Sequence, residues 1–219
     1  MEIKKGSLTD EQVAKVQHLK LTNVVLSFPD ALFVAKATAG SDGAPGKPRF
    51  GCTFLLDPED PAHAKQIADI EKRIKILAMN EFGRVPPDLK LFFKDGDLKE
   101  YEGYPGHMYV SANSPGDKPG PKVVDRNPKV ILEPDTDKIY GGVVVNGLLS
   151  LWVQDGVKNP TWGKGIYAQL KLVQYVEHGE AFGAAQPDPE EEFEDLGEEE
   201  LGMFDEEEEG ADDLGGLLD

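Results

Sequence analysis

Apolar and polar positions alternate along two neighbouring stretches in the last third of the chain, and this period-two pattern predicts a long β-hairpin. In residues 143–154 the odd positions Val143, Val145, Gly147, Leu149, Leu151 and Val153 form a core face, while the mixed even face ends in Trp152. On the return strand, Ile166, Ala168, Leu170, Leu172 and Val176 form the apolar set, and Tyr167, Gln169, Lys171 and Tyr175 face the other way. Gly141 and Gly142 open the hairpin, where glycine permits a bulge or the coiling of a closing sheet. Nearer the N-terminus, residues 20–28 (KLTNVVLSF) predict a first strand stopped by Pro29. Arg49–Leu56 predicts a second, with Phe50, Cys52, Phe54 and Leu56 on one face and Arg49, Gly51 and Thr53 on the other.

The period changes in the segment DPAHAKQIADIEKRIKILAMNEF. Ile67, Ile70, Ile74 and Leu77 recur at spacings of three and four, the stripe of an amphipathic helix, with Asp60 as its cap and Pro61 in its first turn. Residues 38–48 are all turn formers. Residues 85–137 are rich in Pro, Gly and Asp, with short extended pieces near 91–93, 107–112 and 129–132. Residues 1–18 predict a loose arm or a short helix. Several strands, one amphipathic helix and long loops, without a βα rhythm, fit a mainly β, small closed barrel with the helix against the sheet or across its bottom.

Charge divides the chain. Its 219 residues have a net charge of −18, but residues 187–219 hold 17 of the 41 acids and no Lys or Arg. The other 186 residues carry 24 acids against 23 bases, a net charge of −1. A nearly neutral body can present one basic face, so the acidic total does not exclude a nucleic-acid partner. The acidic segment, with only thin apolar interruptions, predicts a disordered tail. The domain expectation is an arm over 1–18, a barrel over 19–186 and a tail over 187–219. Cys52, the single cysteine, lies between apolar neighbours and predicts a buried inert thiol. No apolar run suits a signal peptide or a membrane span, so the expectation is a cytosolic protein.

Candidate chemistry concentrates on the hairpin. One surface presents Trp152, Tyr167, Lys171 and Tyr175 together, and the loop DGVKNPTWGKG adds Trp162, Lys158 and Lys164. Aromatic rings beside cations hold unpaired bases while neutralising phosphate. The same residues also suit ordinary cross-strand packing. Lys47, Arg49, Arg84, Arg126 and Lys129, in or beside loops, extend a possible basic track or are simply solvated. The four histidines have no ligand neighbours at metal spacing, WGKGI and YGGVVVNG lack the phosphate and dinucleotide fingerprints, and Asp95, Asp97, Asp135 and Asp137 sit in turn-like stretches. No metal, cofactor or catalytic group is expected. The end of the tail, Asp212, Asp213, Leu214, Leu217, Leu218 and Asp219, offers small apolar anchors in negative charge to partner proteins.

The blocks KLTNVVLSFPDALF, DPAHAKQIADIEKRIK, VVDRNPK, YGGVVVNGLLSLWVQD and GKGIYAQLKLVQYVEHGEAFG, followed by DPEEEFEDL, together resemble a family of bacteriophage single-stranded DNA-binding proteins over roughly residues 19–196. Fold and tail also resemble the T7-type phage proteins of this kind. The resemblance implies an OB-fold barrel that coats single-stranded DNA without catalysis during phage replication, recombination and repair in the host cytoplasm. It further implies an acidic C-terminus that contacts polymerase, helicase-primase or a second subunit of a homodimer. The competing reading is an acidic protein-interaction or chaperone-like factor whose barrel is structural.

Overall fold

The computed structural model describes residues 3–37, 46–132, 137–157 and 163–183. Eight strands, β1 (His18–Lys36), β2 (Arg49–Leu56), β3 (Lys90–Leu91), β4 (Phe93–Asp95), β5 (Met108–Pro115), β6 (Lys122–Val124), β7 (Val144–Gln154) and β8 (Gly165–Glu177), join two helices, α1 (Asp10–Gln17) and α2 (Pro61–Phe82). The strands run in the order β3-β8-β7-β1-β2-β5-β4, and a further β8–β5 pairing closes β1, β2, β5, β8 and β7 into a five-stranded barrel of OB type. The closing seam is parallel and short, with Ala112 beside Ala168 and Asn113 beside Gln169. Buried Ser114 extends it by donating its hydroxyl to the Leu170 carbonyl.

Closure needs strands that bend, and β1 bends most. Pro29 does not end it, as the sequence pattern predicted. The strand continues to Lys36, with register shifts after Leu21, Ser27 and Ala31. At the first irregularity Asn23 has φ +53, a conformation that Asn tolerates. Helix α2 grips this bulge. The Gln66 amide exchanges two hydrogen bonds with the Thr22 backbone (2.9 and 3.0 Å), and His63 Nε2 meets the Asn23 carbonyl at 2.7 Å. His63 Nδ1 accepts from the Asp57 amide, so this buried histidine ties β1, α2 and the end of β2 together.

Helix α2 begins and ends where its sequence dictates. The Asp60 carboxylate accepts from the Ala62 amide at 2.7 Å, Pro61 occupies the first turn, and Gly83 ends the helix in the left-handed region. Ile70, Ile74, Leu77 and Ala78 enter the same core as Leu21, Leu26, Phe54, Val110, Val145 and Leu151, with Ile67 partly buried at its margin. Cys52 is buried there, and burial pushes its thiol above the ordinary range, in line with an inert group.

A second helix corrects the expectation of one. Thr9 and Gln12 form a reciprocal capping box for α1. At its C-terminus, Arg73 Nη1 donates to the carbonyls of Lys15, Val16 and His18 (2.8–3.1 Å) while its Nε pairs with Asp69. One guanidinium satisfies carbonyls that a helix end leaves without partners. The arm of residues 3–17 is thereby fixed to α2, and the predicted short helix, not the loose arm, is what forms. Extended pieces near 91–93 and 107–112 become β3, β4 and β5. Residues 129–132 contribute only the bridge Val124–Val130, and β6 had no sequence signal.

Candidate nucleic-acid interface

Strands β7 and β8 pair Trp152 directly with Tyr167. Their rings stack at 4.9 Å between centroids and 29° between planes, and Trp152 remains 37% exposed. Gly165, two residues before Tyr167 on the same face, makes this arrangement possible. A Cβ there would lie 2.5 Å from the Tyr167 ring, which covers the glycine backbone instead. Partial burial raises the Tyr167 phenol above its ordinary value, so it stays neutral and carries no charge against a phosphate.

Neighbouring rows on the outer face follow from register. One row runs from His18 through Ser150 and Gln169 to Asn113, whose side-chain oxygen accepts from Arg49 Nη1 at 2.8 Å. The next carries Lys20 opposite Leu148, Leu148 opposite Leu172, and Leu172 beside Lys122. Exposed Lys171 sits in a β-bulge here, because Leu148 pairs with Leu172 while Leu149 pairs with Leu170. Aromatic, polar and cationic rows thus lie side by side across the strands. Lys47, Arg49 and Lys118 line an open groove of about 600 Å³ at the end of β2 and β5.

The bulge also corrects the face assigned to Tyr175. One extra residue on β8 reverses the alternation beyond it: Ile166, Ala168 and Leu170 point inward before the bulge, Val173 and Tyr175 after it. Tyr175 is 8% exposed, packs edge-on against His178, and belongs to the core. Leu172 and Val176, expected inside, lie in the half-buried outer set.

The remaining sequence candidates separate by position. Lys164 lies beside β3, with its ammonium 5.8 Å from the Phe82 ring and its carbonyl accepting from the Lys90 amide, and exposed Arg84 follows Phe82 by two residues. These extend the cationic surface beside the hairpin, and exposed Lys90 joins them. Arg126 and Lys129 sit on a tight turn organised by Asp125, whose carboxylate accepts from the Asn127 and Lys129 amides. That turn meets β8 at Gln174, about 20 Å along the strand from Tyr167. The structure does not bring these two to the aromatic pair. Trp162, Lys158 and residues 212–219 lie outside the described residues. Lys20, Lys90, Lys122, Asn113 and Gln169 escaped the sequence reading, since only strand pairing places them together. Among the described residues no cluster of His, Cys, Asp and Glu suits a metal ion, and no helix is long and apolar enough to cross a membrane.

A closed OB-type barrel with an exposed aromatic pair and flanking cations on its outer face belongs to the class of domains that hold single-stranded nucleic acid. Comparison with known proteins narrows the class. Residues 17–204 match the family of the single-stranded DNA-binding protein of Enterobacter phage Enc34, and the chain belongs to this family. The p50 protein of Acyrthosiphon pisum secondary endosymbiont phage 1 is 31% identical over 198 residues, 84% of this chain and 97% of p50. The single-stranded DNA-binding protein of bacteriophage Enc34 superposes with a TM-score of 0.61 at 25% identity, covering 81% of this chain and 90% of the Enc34 chain. Its structure in complex with single-stranded DNA gives 0.61 at 26%, covering 84% and 100%.

Proposed function

We propose that this protein binds single-stranded DNA with little base preference and, in a phage, protects it during replication, recombination and repair. The observation that carries the reading is the exposed Trp152–Tyr167 stack between rows of polar and cationic side chains. Every base has a face to stack on a ring, and the adjoining lysines neutralise backbone phosphate without reading sequence. The crystallised complex of the Enc34 relative with single-stranded DNA supports the ligand class. Trp162 and Lys158, in the hairpin loop, extend the same track in this reading, with Lys164, Lys171, Lys47 and Arg49 as phosphate partners. The acidic segment 187–219 regulates access by competing for those cations, and recruits replication proteins through its apolar anchors.

Titration of the intact protein with an oligo-dT strand and with a duplex of equal length, at matched salt, tests the proposal by fluorescence. Tighter binding of the single strand, with affinity falling as salt rises, is the expected result. Duplex binding of equal strength would remove the basis for a stacking site.

A further inference from the structure

Away from the hairpin, α1, the segment preceding it and α2 enclose an open groove of about 690 Å³. Leu8, Val16, Ile76 and Met79 line it with apolar surface, and Lys15, Lys72 and Lys75 bring cations to it. Among the described residues no carboxylate lies within ion-pairing distance of these three lysines. The groove is built, not incidental: Arg73 and Asn80 hold the arm against α2 through backbone hydrogen bonds to Lys15, Val16, His18 and Leu8. Apolar lining with unpaired cations fits a ligand of opposite design, apolar anchors embedded in acids.

The chain itself contains such a ligand. Residues 190–204, EEEFEDLGEEELGMF, place Phe193, Leu196 and Leu201 among acids with no base between them. We propose that this groove receives residues 190–204 of a second copy of the protein, linking neighbouring molecules. The chain's own segment is poorly placed to reach it. Gly183, the last described residue, is bonded to Glu102 beside the Phe28 end of β1, whereas the groove adjoins the His18 end. Residues 18–28 span about 30 Å of strand, and Phe193 lies ten residues beyond Gly183, a reach of at most about 35 Å fully extended. A path around the barrel consumes nearly all of that. A second copy has no such tether, and copies held side by side raise each other's effective concentration.

The test titrates full-length protein into a fluorescein-labelled peptide of residues 188–205. Saturable binding is expected, at least tenfold weaker with the exposed pair Lys72→Glu and Lys75→Glu. It should also be at least tenfold weaker for an equally charged peptide carrying Phe193→Ser, Leu196→Ser and Leu201→Ser. Saturating oligo-dT should leave the peptide bound, and the lysine variant should bind oligo-dT as wild type does. Sedimentation should show concentration-dependent self-association that the lysine variant loses. Equal binding by the serine peptide, displacement by oligo-dT, indifference to the lysine substitutions or a monomer at all concentrations would each overturn the proposal. A failure of DNA binding itself would show separately, as the absence of an oligo-dT signal in the wild-type protein.

Discussion

Trp152 ends a face of β7 whose other members are half-buried, and Tyr167 covers one side of its ring, so the indole offers its remaining surface to solvent. Replacing it with Ala removes a stacking platform without opening the core. Single-strand affinity is expected to fall by about 1–3 kcal/mol in an oligo-dT titration, with the thermal midpoint near wild type. Trp162→Ala is expected to cost a similar amount in the same titration. If both variants bind unchanged, the track lies on another face. Gly165→Ala tests the positioning of the pair. The added methyl must displace the Tyr167 ring, so affinity should drop toward that of Trp152→Ala while the far-ultraviolet circular dichroism stays the same. An unaltered affinity would mean that Tyr167 adjusts without consequence. Phe28 shows the opposite economy. It is 50% exposed at φ +52, costly for a bulky side chain, and its ring packs edge-on to Tyr101 at 5.1 Å.

Among the elements, α2 was the most legible, since its cap, first-turn proline and apolar stripe are all local signals and each holds in the structure. Strand β2 was equally plain. The β5–β8 seam was invisible, because a parallel pairing between residues 56 positions apart leaves no local pattern. That seam has two paired rows and one side-chain bond from Ser114 to the Leu170 carbonyl. Ser114→Ala leaves a buried carbonyl without this donor. Urea unfolding is therefore expected to show a loss of about 1–3 kcal/mol. A change below about 0.5 kcal/mol would indicate that neighbouring groups re-satisfy the carbonyl.

For the whole molecule, the decisive quantity is the contrast between a body of net charge −1 and a segment of −17. Ending the chain at Gln186 is expected to raise affinity for single strands, most at low salt, because tail competition and DNA binding are both electrostatic and both screened. General repulsion also falls on truncation. Adding the segment back as a free peptide separates the two, since specific competition recovers part of the inhibition at peptide levels that barely change ionic strength. Equal affinity of the full-length and truncated proteins at low salt would reduce the segment to a solubility device. Any polymerase or helicase that docks on the segment should lose its contact in the same truncation.

Local pattern in the sequence determined the hairpin, α2, the buried thiol and the charge division, because each depends on residues close in the chain. The aromatic pair followed from alternation as well: Trp152 and Tyr167 needed only the correct parity on two strands. Parity failed beyond Lys171, where one bulged residue moved Tyr175 into the core, and a bulge responds to the curvature of a closing barrel rather than to its own side chain. Register alone set Lys20, Lys122, Asn113 and Gln169 beside the pair, since residues up to 149 positions apart become neighbours only when the sheet closes. The groove of α1 and α2 likewise depends on Arg73 reaching carbonyls 55 to 58 residues away, a distance over which sequence spacing carries no geometry.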